Sequence, residues 1–206
     1  MKQCIRAATL LVWVLGVAGC DLVSPGDKLT EQEAEELALA IAQAGLLTAP
    51  TFSPQQGPAL EAARVTITVN ETESCEGGGT SAIAGSATVD VNEQTGSGTA
   101  SFTYTVTPTN CGVRTASGKV FRLTGDPNLK VTGEFSFTQT SFSGTIDYQG
   151  SFKWQSDDGR SGGCSLTLKA QYQVTVGQTS ATSSVSVKGQ VCGRDVSRNA
   201  TFTVSG

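Results

Sequence analysis

An antiparallel all-β domain preceded by one helix is the fold class this sequence predicts. Three observations predict it: long runs in which apolar residues recur at every second position, glycine, serine, asparagine and aspartate turns between those runs, and a single earlier segment with helical spacing. Val65, Ile67 and Val69 alternate with threonines, and Ala87, Val89 and Val91 with Thr88 and Asp90. Ala100, Phe102, Tyr104 and Val106 form the next face, and Leu129, Val131, Gly133, Phe135 and Phe137 the one after it. The longest run is Phe142, Gly144, Ile146, Tyr148, Gly150, Phe152 and Trp154. Leu166 to Val176, Val185 to Val191 and Ala200 to Val204 complete the set. Runs with one apolar and one polar face suit antiparallel strands. Their length and short connections favour a meander of about eight to ten strands curled into an open or closed barrel, with a β-sandwich as the alternative.

Ahead of the strands, the chain divides into short segments. Lys2 and Arg6 precede an apolar stretch, Leu10 to Ala18, that is too short to span a bilayer as a helix. It ends Val17-Ala18-Gly19-Cys20, which resembles the lipobox of bacterial lipoproteins. The resemblance implies that residues 1–19 are a signal peptide, that Cys20 carries a diacylglycerol, and that acyl chains hold the protein to a membrane of the bacterial cell envelope, facing the periplasm or exterior. Two or more chains anchor far more firmly than one, at about 0.8 kcal/mol per buried methylene. Asp21 resembles the inner-membrane retention signal of enteric bacteria, a rule that varies between bacterial groups, so which membrane holds the protein stays open.

Residues 20–29 read as a membrane tether and 30–46 as a helix. Thr30-Glu31-Gln32-Glu33 is a capping box, in which the Thr30 hydroxyl and Glu33 carboxylate satisfy free N–H groups reciprocally. Acidic residues crowd the first turns, where the helix dipole favours them. Ala34, Leu37, Ala38, Ile41 and Ala44 make an apolar stripe, and Gly45 with Leu46 suits a Schellman cap. Residues 47–62 hold three of the six prolines and read as a linker, leaving 63–206 as the β domain.

Cys75, Cys111, Cys164 and Cys192 are an even number in an exported chain, with no Cys-x-x-Cys spacing. Of three possible pairings, Cys75–Cys111 and Cys164–Cys192 is favoured, because each pair flanks a run of two strands. Cys111-Gly112 and Cys192-Gly193 hint at a weak duplication.

The composition argues against most chemistry. The absence of histidine removes the commonest general base and metal ligand. A net charge of −4 without a basic run argues against nucleic acid. Asp157-Asp158-Gly159 lacks the further oxygen ligands of a calcium loop and reads as a hairpin turn. Glu76-Gly77-Gly78-Gly79 has no following Lys-Ser/Thr and reads as backbone freedom beside Cys75. No catalytic residue, cofactor or metal is expected, and an enzyme is a distant alternative.

The expectation is a non-catalytic, lipid-anchored envelope protein with a binding or scaffolding β domain. The alternative is a carrier of a lipid or other apolar ligand, resembling in architecture the lipocalin-like or half-barrel envelope lipoproteins, without the lipocalin Gly-x-Trp near a first strand. Gly133, Phe135, Gly144, Ile146, Tyr148 and Gly150 are the candidate ligand face. Glycine on a buried strand face marks close approach by another group, and the alanine-rich helix is slim enough to plug the curled sheet.

Overall fold

The computed structural model describes residues 28–47, 63–177 and 180–205. Cys20, the leader, most of the tether and the linker from residue 48 to 62 lie outside them. One helix, α1 (Glu31–Leu47), precedes nine strands. These are β1 (Ala63–Ser74), β2 (Thr80–Asn92), β3 (Ser97–Thr109), β4 (Cys111–Arg114), β5 (Val120–Phe137), β6 (Ser141–Ser156), β7 (Ser161–Val176), β8 (Ser180–Val191) and β9 (Arg194–Ser205). All pair in one antiparallel sheet of order β1-β2-β3-β5-β6-β7-β8-β9, with β4 on β5 beyond the end of β3. β1 and β9 each have a single neighbour, so the sheet curls without closing. The closed barrel and the β-sandwich are both set aside. The helix, not a second sheet, covers the inner face on the β4, β8 and β9 side.

Register aligns the inward side chains in rows. Val69, Gly85, Tyr104, Val131, Tyr148, Leu168, Gly189 and Val196 form one continuous row across eight strands. Outward positions carry mostly Thr, Ser, Gln and charged residues, as the alternation requires.

The inward glycines have a different cause from the one expected. A Cβ on Gly133 would lie 2.4 Å from the Phe102 ring, and one on Gly144 would lie 2.2 Å from the Phe135 ring. An aromatic of the neighbouring strand lies over each glycine, so the close approach comes from within the row. Phe135 in turn stacks on Phe102 and Phe142, with centroids 5.7 and 4.6 Å away. Neither the helix nor a ligand is needed to explain these two positions.

β5 is longer than its alternation suggested. Gly125-Asp126-Pro127-Asn128 is rich in turn-forming residues, yet the strand runs through it with a register shift between Gly125 and Leu129. Proline lacks the ladder N–H and is tolerated at such a bulge. The first half of β5 pairs with β4 and the second with β3. Asn110, at φ 51°, turns the chain between those two partners, and its N–H donates to Thr124 Oγ1 at 3.2 Å.

Both disulfides join as expected, Cys75–Cys111 and Cys164–Cys192. They span 36 and 28 residues, and loop closure of that size is worth about 3.5–4 kcal/mol each. The duplication suggested by the two Cys-Gly pairs has no counterpart, since Cys111 opens a strand whereas Cys192 sits in a turn at φ 53°. The glycine run after Cys75 lets two backbones touch. Gly77 N–H donates to Gly112 O at 3.0 Å, and Gly112 N–H to Gly78 O at 2.7 Å. A Cβ on Gly77 would sit 2.8 Å from Gly112 Cα.

The helix lies in the concave face, packed against β4, β8 and β9. Its capping box forms: Thr30 N–H donates to Glu33 Oε2 at 2.9 Å, and Glu33 N–H to Thr30 Oγ1 at 3.2 Å. Ala34, Leu37, Ala38, Ala40, Ile41 and Ala42 are all buried, a wider face than the expected stripe. The helix also continues through Gly45 to Leu47, so the expected Schellman stop at Gly45 is corrected. Leu37 is fully buried, and Asp at that position would strand a charge in hydrocarbon. Leu37→Asp is expected to cost about 3–5 kcal/mol, read as a fall in the chemical denaturation midpoint. An unchanged midpoint would mean the helix is a spacer outside the core.

Candidate functional site

Two features share the concave face: a polar latch that seats the helix and a cavity that the helix leaves unfilled. The latch begins with Glu33, already engaged in its own helix cap. Its carboxylate also accepts both terminal nitrogens of Arg160, from the β6–β7 turn, and Lys119 Nζ at 2.6 Å, from the β4–β5 turn. Asp158 bridges the same two cations, at 2.7 Å from Lys119 and 2.9 Å from Arg160. Arg160 holds Glu33 down to about pKa 2 against the opposing effect of burial, with Lys119 adding to the lowering. Asp158 is lowered by Arg160 first and then by Lys119 and Ser156. Burial works against the charge of Lys119, yet Asp158 and Glu33 outweigh it and raise its pKa. Asp157 Oδ2 accepts Val120 N–H at 3.1 Å. Both aspartates of the turn are thus engaged by protein donors.

Further contacts fix the helix along its length. Ser117 donates to Glu36 and lowers its pKa. Arg198 of β9 pairs with Glu35 at 2.8 Å. Tyr172 donates to the carbonyl of Ala42 at 2.8 Å, which leaves Tyr148 as donor in the 3.3 Å contact between the two hydroxyls. Burial pushes Tyr172 up to about 12 and Tyr148 well above its ordinary value, so both stay neutral.

The helix fills only the β4, β8 and β9 side. Between it and the β1–β3 side lies a cavity of about 660 Å³, within the usual range for small-molecule sites. Its walls are Ile83, Phe102, Tyr104, Val106, Val113, Leu123, Leu129, Val131 and Tyr148 from the sheet, and Ala40, Ile41 and Ala44 from the helix. Phe202 of β9, 44% exposed, stands at its margin. On β1 the inward Val65 and Ile67 are 47% and 39% exposed, so the inner face is uncovered where the sheet stops. The surface is mostly hydrocarbon, with Ser81, Glu73 and Glu76 at the end nearest Cys75 and Arg114 of β4 also in the lining.

Of the candidate ligand face, Tyr148 lines this cavity. Phe135 and Ile146 are packed in the core, and Gly133, Gly144 and Gly150 lie on the same inner face but are not among the lining residues. Phe102, Tyr104, Leu129 and Val131, all four from alternating runs of the sequence, line the cavity beside Tyr148. β1 runs past Val69 to Ser74, and the same parity turns Glu71 and Glu73 inward.

Comparison with protein-family models, with curated proteins and with solved structures finds no match to this chain.

The latch sets a pH dependence. Glu33 has a folded pKa near 2 against an ordinary 4.5, so its contribution is fully present above about pH 4.5 and is lost as pH falls toward 2. The wild type is expected to lose roughly 3 kcal/mol from this group across that window. Glu33→Gln should cost a similar amount at pH 7 and flatten the curve between pH 5 and 2. Parallel curves for the two proteins would contradict the latch.

Proposed function

We propose that this chain is a lipid-anchored protein of the bacterial cell envelope that holds an apolar ligand in the concave face of its open sheet. One observation carries the reading: a cavity of about 660 Å³, walled by hydrocarbon and bounded by the α1 helix on one side. A slim, alanine-rich helix covers the rest of the inner face while leaving that volume free. A hydrocarbon wall of this extent offers dispersion contacts to a bound apolar molecule. The lipobox-like Val17-Ala18-Gly19-Cys20 supports anchorage through Cys20, which would keep the cavity close to a source of apolar molecules. The unpaired edges of β1 and β9, with exposed Val65, Ile67 and Phe202, favour a second reading, a scaffold that adds a partner's strand.

Mass spectrometry of the full chain purified in mild detergent separates them. The proposal expects about one mole of a non-covalent apolar molecule per mole of protein, alongside a diacylglycerol on the Cys20 peptide. Val106→Trp, placed in the cavity wall, should reduce the non-covalent component severalfold and leave the anchor in place. Equal trace amounts in both proteins would contradict the cavity reading.

A further inference from the structure

The cavity is not uniform along its length, and one end carries polar groups that the fold leaves unused. Ser81 points inward from β2 and is 8% exposed, yet its hydroxyl makes no side-chain hydrogen bond. Tyr104, on the same wall and 5% exposed, has a fully enclosed hydroxyl without any partner. A buried hydroxyl left without a bond costs about 1–3 kcal/mol in ordinary cases, which applies to Tyr104, whereas the Ser81 hydroxyl is open to the cavity. Glu71 and Glu73 stand on the inward parity of β1, in the rows of Ile83 and Ser81. Glu73 and Glu76 line the cavity, and Glu71 acts electrostatically on Tyr104. None of the three glutamates has an ion-pair partner among the described residues.

Carboxylates without ion-pair partners beside the Ser81 hydroxyl are acceptors for a donor on a ligand. Glu71, Glu73 and Glu76 outnumber Arg114, the guanidinium in the lining, which donates to Gly118 O at 3.3 Å, so a cationic head carrying N–H donors would meet complementary charge at the glutamates. Resting on the cavity reading above, we infer that the ligand is a cationic amphiphile, its amine at the Ser81–Glu73 end and its apolar body toward Tyr148 and the helix. The amine donates to Ser81 Oγ and to the glutamates. The hydrocarbon lies against Phe102, Val106 and Leu129.

Three water-soluble probes with equal tails test this: octylamine, octanol and octanoate, titrated calorimetrically into the full chain in nanodiscs, with empty nanodiscs as blank. Octylamine is expected to bind about tenfold more tightly than octanol, and octanoate most weakly. The doubly substituted chain E71Q/E73Q, changed at exposed positions that leave the fold intact, should bring octylamine close to octanol. Ser81→Ala should weaken octylamine severalfold. Equal affinities for the three probes, all lost in Val106→Trp, would overturn the head-group inference and leave the cavity reading standing. Binding of no probe above the blank would overturn both.

Discussion

The constraint on which the rest of this structure depends is that a curled sheet with two free edges must cover its own inner face. β1 and β9 do not pair, so the sheet cannot exclude water by closure as a barrel does. The helix takes over that task, and Glu33 is the residue that holds it there. One carboxylate completes the helix cap, clamps Arg160 and Lys119, and so ties the first turn of α1 to two separate hairpins. Its side chain is largely removed from solvent, where such pairs are worth more than at the surface.

The two ends of the sheet are built differently as a result. The end where the helix begins carries the latch, both disulfides, the β4 extension and the Gly77–Gly112 contact. The opposite end is closed by hairpin turns, with hydroxyl contacts such as Thr138 to Ser141 at 2.7 Å. Cross-links and charge pairs therefore fix the position of α1 at one end, while side-chain packing determines it toward the other. The tyrosine pair, reaching Ala42 O, is the polar contact nearest that second region. The free volume lies beside the C-terminal half of the helix, on the β1–β3 side, and reaches the Cys75–Cys111 disulfide.

Much of the fold was legible because one physical rule repeats. Period-two alternation identified nearly every strand, and the capping box identified the start of the helix, since both depend on local geometry alone. The disulfide pairing followed from the placement of cysteines around strand pairs. What escaped depended on distant partners. Gly125-Asp126-Pro127-Asn128 has turn chemistry, and only the pairing of β5 with β4, β3 and β6 keeps it extended. The inward glycines carried no sign of which ring would cover them. Glu33 gave its cap role from spacing, but its bonds to Lys119 and Arg160 join residues 86 and 127 positions apart. The cavity is similarly a property of where the helix stops filling the sheet, which no local pattern encodes.

The central claim is that helix and sheet form one cooperative unit with the helix seated inside. Amide hydrogen exchange of the full chain tests it most directly, because protection reports the free energy of the opening that exposes each N–H. The account expects the α1 amides from Leu37 to Ala42 to exchange as slowly as those of β8 and β9, through the same global opening. Exchange of those helix amides orders of magnitude faster than the neighbouring strands would contradict it, since a helix that opens alone cannot be what covers the sheet.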